Sequence, residues 1–108
     1  MQIPEIKPKE MYESITRGDE ATILDVRTKE EFDEGYIKGA INLPVDNLME
    51  ELVKTLPDKQ AKIYVYCHSG VRSEASVKYM VKQGFSQVFN MTDGIAQWES
   101  DNLPIEYK

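Results

Sequence analysis

The run Ile63-Tyr64-Val65-Tyr66 constrains the fold more than any other stretch of this chain. Consecutive apolar and aromatic residues without polar alternation describe a strand buried on both faces, the situation in parallel sheets covered by helices. The rest of the chain is consistent with such a sheet. Ile3 to Ile6 reads as a first short strand, and Pro8 suits the first turn of a helix running to about Arg17 and ended by Gly18. Met11, Tyr12 and Ile15 fall on one face of that helix. Thr22 to Val26 is a strand too apolar to be half exposed. Thr28 and Glu31 have capping-box spacing, which predicts a helix over Lys29 to Glu34.

Gly35 and Gly39 bracket a turn, and Ala40-Ile41-Asn42 reads as a short strand closed by Pro44. Asp46 is the expected cap of a helix whose apolar stripe is Leu48, Leu52, Val53 and Leu56. Lys62 to Tyr66 is the central strand. A helix follows over Ser73 to Gln83, with Ser73 able to cap it, Val77, Met80 and Val81 inward, and Gly84 as its C-cap. Val88 to Met91 is the last strand, and Asp93-Gly94 turns into a final helix through Trp98. Strands separated by helices predict an α/β fold, a mostly parallel five-stranded sheet with helices on both faces.

With 108 residues the expectation is a single domain over 1–108, long enough to bury roughly 60–70% of its unfolded surface. One cysteine and one histidine rule out an intrachain disulfide and a Cys-rich zinc site. A free thiol suits a reducing compartment, and the N-terminus shows no signal-peptide run, so the expected location is the cytoplasm. No stretch approaches the ~20 apolar residues of a membrane span. The formal net charge of −6 argues against a nucleic-acid partner, because there is no basic face to release counterions. A monomer is the default for a chain of this size.

In parallel sheets, ligands bind beyond the carboxyl ends of the strands. Cys67 stands at that end of the central strand, under a helix N-terminus whose free N–H groups and dipole favour an anion. The same field lowers a thiol's pKa and makes Cys67 the candidate nucleophile. Gly70 allows a tight turn with converging N–H groups, and Arg72 adds a fixed cation. Four residues separate Cys67 from Arg72. Cysteine phosphatases carry one more, and a residue adds up to ~3.5 Å of contour, so this loop makes a tighter cradle. Such a cradle suits a small sulfur species better than a tetrahedral phosphate.

The segment Cys67-His68-Ser69-Gly70-Val71-Arg72-Ser73 resembles the active-site loop of rhodanese-homology domains, the sulfurtransferases. Leu24-Asp25-Val26-Arg27 resembles the family's early Leu-Asp-Val-Arg strand. Glu31-Phe32 and the segment Gly35 to Pro44 resemble its Glu-(Phe/Tyr) and Gly-His-Ile-x-Gly-Ala-x-Asn-(Ile/Leu)-Pro segments. Asp93 to Trp98, with Leu103-Pro104-Ile105, resembles its closing segment. The likeness runs in order from about residue 5 to 106. Tyr36 stands where many members have His, and Asp93 where many have Gly.

The resemblance implies a rhodanese-like fold and a sulfur transfer without metal or organic cofactor. Cys67 would attack the outer sulfur of a donor such as thiosulfate and become a persulfide held by the N–H groups of residues 68 to 72. A thiol or a protein would then accept the sulfur. The loop residues His68, Ser69, Gly70, Val71, Arg72 and Ser73 would hold the substrate. The same likeness places the Asp25 strand beside the Cys67 strand, so Arg72 either binds the donor anion or pairs with Asp25 to shape the loop. Arg27 is a weaker candidate for the donor site and a second candidate partner for Asp25, and Asp25 and Arg27 count as support for the loop. His68 is expected to add positive character, not to act as a general base. Trp98 is expected to anchor the last helix, and the acidic run around Glu30-Glu31 and Asp33-Glu34 reads as a solvated helix face. Two other functions compete: a persulfide carrier or protein-binding module with little turnover, and a cysteine phosphatase or arsenate reductase, against which the loop length counts.

Overall fold

A computed structural model describes residues 2–108. In chain order the elements are β1 (Glu5–Ile6), α1 (Pro8–Thr16), β2 (Thr22–Asp25), α2 (Lys29–Glu34), β3 (Ile41–Asn42), a 3-10 turn (Val45–Asn47), α3 (Leu48–Thr55), β4 (Lys62–Tyr66), α4 (Val71–Lys82), β5 (Gln87–Met91) and α5 (Gly94–Ser100). All five strands form one parallel sheet in the order β1-β5-β4-β2-β3. The fold class expected from the sequence is the one observed. β4, the most apolar strand, lies in the middle, flanked by β2 and β5.

Side chains alternate across a strand, so β4 serves two cores. Ile63 and Val65 pack with Leu48, Leu52, Val77 and Met80, the layer of α3 and α4. Tyr64 and Tyr66 pack with Met11, Ile95 and Trp98, the layer of α1 and α5. Full burial of a large apolar side chain is worth roughly 1.5–3 kcal/mol, and this double layer sets the central strand firmly. Trp98 is buried and its Nε1 donates to the Pro104 carbonyl at 2.8 Å, which ties the C-terminal segment to α5.

Several local expectations shift. Asp46 caps nothing, because a 3-10 turn leads into α3 and no side-chain cap is present. Leu48, Leu52 and Leu56 are buried, whereas Val53 is 53% exposed. Leu52 and Leu56 already fill the inner face of that short helix, and the next position turns outward. α4 begins two residues before Ser73, capped by Gly70. It ends at Lys82 with Gln83 as its C-cap, and Gly84 lies in the left-handed region just beyond.

Candidate active site

Cys67 follows β4 and continues the Ile63 and Val65 series, so its side chain joins the α3 and α4 layer. Its sulfur therefore lies below the first turn of α4. The Gly70 N–H donates to Cys67 Sγ at 3.1 Å. The Ser73 N–H and the Ser73 hydroxyl each donate to it at 3.4 Å. Gly70 makes this possible with φ +101°, a left-handed turn that aims its N–H back at the sulfur. A Cβ there would stand 3.2 Å from the Asp93 amide nitrogen, a tight contact that adds to the backbone's demand for glycine. Ser73 is thus no cap of α4. It sits inside the first turn and turns its hydroxyl to the thiol.

Burial pushes the Cys67 thiol up, and the Ser73 hydroxyl with the N–H groups of Ser73, Gly70 and Ser69 pulls it down. The donors prevail, and the thiol titrates below its ordinary value. Cys67 is only 1% exposed. Whatever reacts with it must therefore present a narrow, end-on atom.

The start of the loop is clamped from the opposite layer. The N–H groups of Ile95 and Ala96 donate to the Cys67 and His68 carbonyls at 2.9 and 3.1 Å. This approach requires Gly94, since a Cβ at that residue would overlap the His68 carbonyl. The Gly94 φ of +63° also lies in the left-handed region.

The two arginines take different partners. Arg72 grips Glu31 with both terminal nitrogens, at 2.7 and 2.9 Å. Chiefly through Arg72, the Glu31 carboxyl is held at about 2. Arg27 grips Asp25 through Nε at 3.0 and 3.1 Å and through Nη2 at 2.7 Å. Its Nη2 also donates to the Gly35 carbonyl at 2.7 Å. The pair is buried, and the Arg27 guanidinium lies 5.5 Å from the centre of the Tyr66 ring.

Of the two partners expected for Asp25, Arg27 is the one observed; the Arg72–Asp25 pairing does not form. Alternation explains it: Leu24 and Val26 face the Cys67 layer, so Asp25 faces the Tyr66 layer, away from α4. Asp25 and Arg27 also brace the turn after α2, with no hydrogen bond to the Cys67 loop. The residue that holds Arg72 is Glu31, which the sequence reading assigned to a solvated face. Two signals singled it out, the capping-box spacing and the Glu31-Phe32 match to the family's Glu-(Phe/Tyr) segment, and neither pointed to Arg72.

His68, Ser69 and Val71 are exposed around the loop, Val71 to 72%. His68 opens onto a cleft of about 430 Å³ that is also lined by Glu31, Glu34, Glu99, Ile105 and Tyr107. Tyr36 does not reach the thiol: its ring stacks on Phe32 at 4.4 Å, and its backbone pairs with Glu106. Among the described residues no group of His, Cys, Asp and Glu is arranged to hold a metal ion, and no helix is long and apolar enough to cross a membrane.

The family model for the rhodanese-like domain matches residues 7–101. A putative sulfur carrier protein of Bacillus subtilis is 35% identical over 96 residues, 89% of this chain; the chain spans about half of that protein's length (51%). A sulfurtransferase of Allochromatium vinosum is 30% identical over 95% of this chain and 94% of its own length. The crystal structure of a rhodanese-related protein from Thermoplasma volcanium superposes with a TM-score of 0.88. It is 30% identical, covering 98% of this chain and 100% of that one.

Proposed function

The chain belongs to the rhodanese-like domain family, and from that premise we propose that it transfers a sulfane sulfur through a persulfide on Cys67. The observation that carries this reading is the convergence of the Gly70 N–H, the Ser73 N–H and the Ser73 hydroxyl on one sulfur atom. Those donors stabilise a thiolate on Cys67.

In the first step the Cys67 thiolate attacks the outer sulfur of a donor such as thiosulfate. A Cys67–sulfur bond forms, the sulfur–sulfur bond of the donor breaks, and sulfite leaves with the bonding pair. The negative charge on the outer persulfide sulfur faces the loop N–H groups of residues 68 to 72. In the second step a thiol or a protein acceptor takes that sulfur and the Cys67 thiolate returns. This is nucleophilic catalysis in two half-reactions, and the hydrogen bonds to Sγ favour the thiolate that begins it. The narrow access to Cys67 favours a linear sulfur transfer over attack on a bulky phosphate ester.

Intact-mass spectrometry after exposure to thiosulfate tests the proposal. A gain of one sulfur, about 32 Da, is expected on the native chain and not on Cys67→Ser. An absent adduct, or an equal one on Cys67→Ser, rejects it. The name of the Bacillus relative raises a second reading, a carrier that keeps its sulfur for a protein acceptor. The pairing of Arg72 with Glu31 favours it, since the loop's one full cation is already matched. High turnover with thiosulfate and cyanide would exclude the carrier reading.

A further inference from the structure

Asn90 stands inside β5 between Phe89 and Met91, where asparagine is disfavoured and β-branched or aromatic residues fit better. It is 3% exposed, and its Oδ1 has no hydrogen-bond partner among the described residues. An unpaired buried acceptor costs stability, and an apolar side chain of similar size avoids that cost, so packing does not account for this residue. Alternation puts Asn90 on the same face as Val88, which belongs to the layer of Cys67 and α4. There its Nδ2 donates to the Gly70 carbonyl at 3.5 Å.

Gly70 is the residue whose N–H donates to Cys67 Sγ at 3.1 Å, from a φ of +101°. Without a side chain to pack, a glycine holds such an angle only as firmly as its surroundings hold it. The N–H groups of Ile95 and Ala96 fix the start of the loop at the Cys67 and His68 carbonyls. Further along, the Glu74 N–H holds the Gly70 carbonyl along α4 at 3.0 Å, and the Asn90 side chain ties the same carbonyl to the sheet. Resting on the sulfur-transfer reading above, we infer that Asn90 is a positioning residue, which anchors Gly70 to β5 and so keeps the Gly70 N–H aimed at the Cys67 sulfur.

The test follows Cys67 alkylation by iodoacetamide against pH, together with urea midpoints, in the native chain, Asn90→Leu, Asn90→Ala and Val88→Ala. Asn90→Leu should move the alkylation profile up by about half a pH unit and slow the reaction at neutral pH about threefold. Its urea midpoint should equal or exceed that of the native chain. Asn90→Ala, which adds no bulk, should show the same shift and covers the case in which leucine does not fit. Val88→Ala, two residues away on the same face, should lower the urea midpoint and leave the alkylation profile unchanged. The ionisable groups around the loop, His68, Arg72 and its partner Glu31, and Asp93 beside Gly70, are the same in every variant, so a shift reports the hydrogen bonds to the sulfur. A native profile in both Asn90 variants, or an equal shift in Val88→Ala, would overturn the inference. Alkylation needs no sulfur donor, so it decides the part played by Asn90 even if thiosulfate leaves no persulfide on the native chain, a result that would reject the sulfur-transfer reading instead.

Discussion

Cys67 is held between opposed effects, burial that disfavours its thiolate and hydrogen bonds that favour it. Of the donors, the Ser73 hydroxyl contributes most and is the one a substitution can remove without disturbing backbone. A hydrogen bond of this kind contributes about 1 kcal/mol, equivalent to a fivefold change in thiolate population. Ser73→Ala should therefore shift the pH profile of iodoacetamide alkylation upward and cut the rate at neutral pH about fivefold. An unchanged profile would mean that the backbone N–H groups suffice. The position of Cys67 at a strand's carboxyl end under a helix was legible in the sequence, because the apolar run before it and the Gly and Arg after it mark both boundaries. The part played by Ser73 was not, since spacing alone cannot tell a cap from a first-turn hydroxyl aimed at a neighbour.

Helix α2 is where local sequence and long-range function meet. Glu31 Oε1 accepts from the Thr28 N–H at 3.1 Å and from Arg72 at 2.7 Å, so one carboxylate closes the capping box and holds the first turn of α4. The Glu31 carboxyl sits at about 2 in the fold, well below its ordinary 4.5. A depressed carboxyl stabilises the native state above its unfolded value. That contribution is complete above pH 4.5 and disappears as pH falls toward about 2. Urea midpoints followed across that window should fall faster for the native chain than for Glu31→Gln, which has no such proton to bind. At neutral pH Glu31→Gln should be less stable by about 1 kcal/mol, the scale of a lost cap and a half-exposed ion pair. Parallel pH profiles would show that the pair contributes nothing. The capping box of α2 appeared at the residues expected, because its hydrogen bonds span only three positions.

At the scale of the molecule, the sheet acts as a partition between two chemical environments. On one side are Cys67 and α4, and on the other the buried pair Asp25–Arg27 with Tyr66, whose phenol is pushed up by burial. Asp25→Asn leaves Arg27 buried without its counter-charge and should cost about 3–5 kcal/mol, read as a lowered urea midpoint. Asp25→Leu with Arg27→Met should recover most of that loss, whereas an equal loss in both variants would place the effect in packing. Gly94→Ala should destabilise by about 2 kcal/mol or more and slow persulfide formation, since α5 would be forced off the Cys67 and His68 carbonyls. The sequence by itself determined what local rules govern: the strand and helix order, the buried central strand, the α2 cap and the cysteine at a strand end. Tertiary structure alone decided which arginine met which carboxylate and that Glu31 would serve α4. Those partners lie 41 residues apart for Arg72 and Glu31, and neither periodicity nor capping carries information over that distance. Only the assembled sheet, which sets α2 beside the first turn of α4 and turns Asp25 toward the Tyr66 layer, brings such charges together.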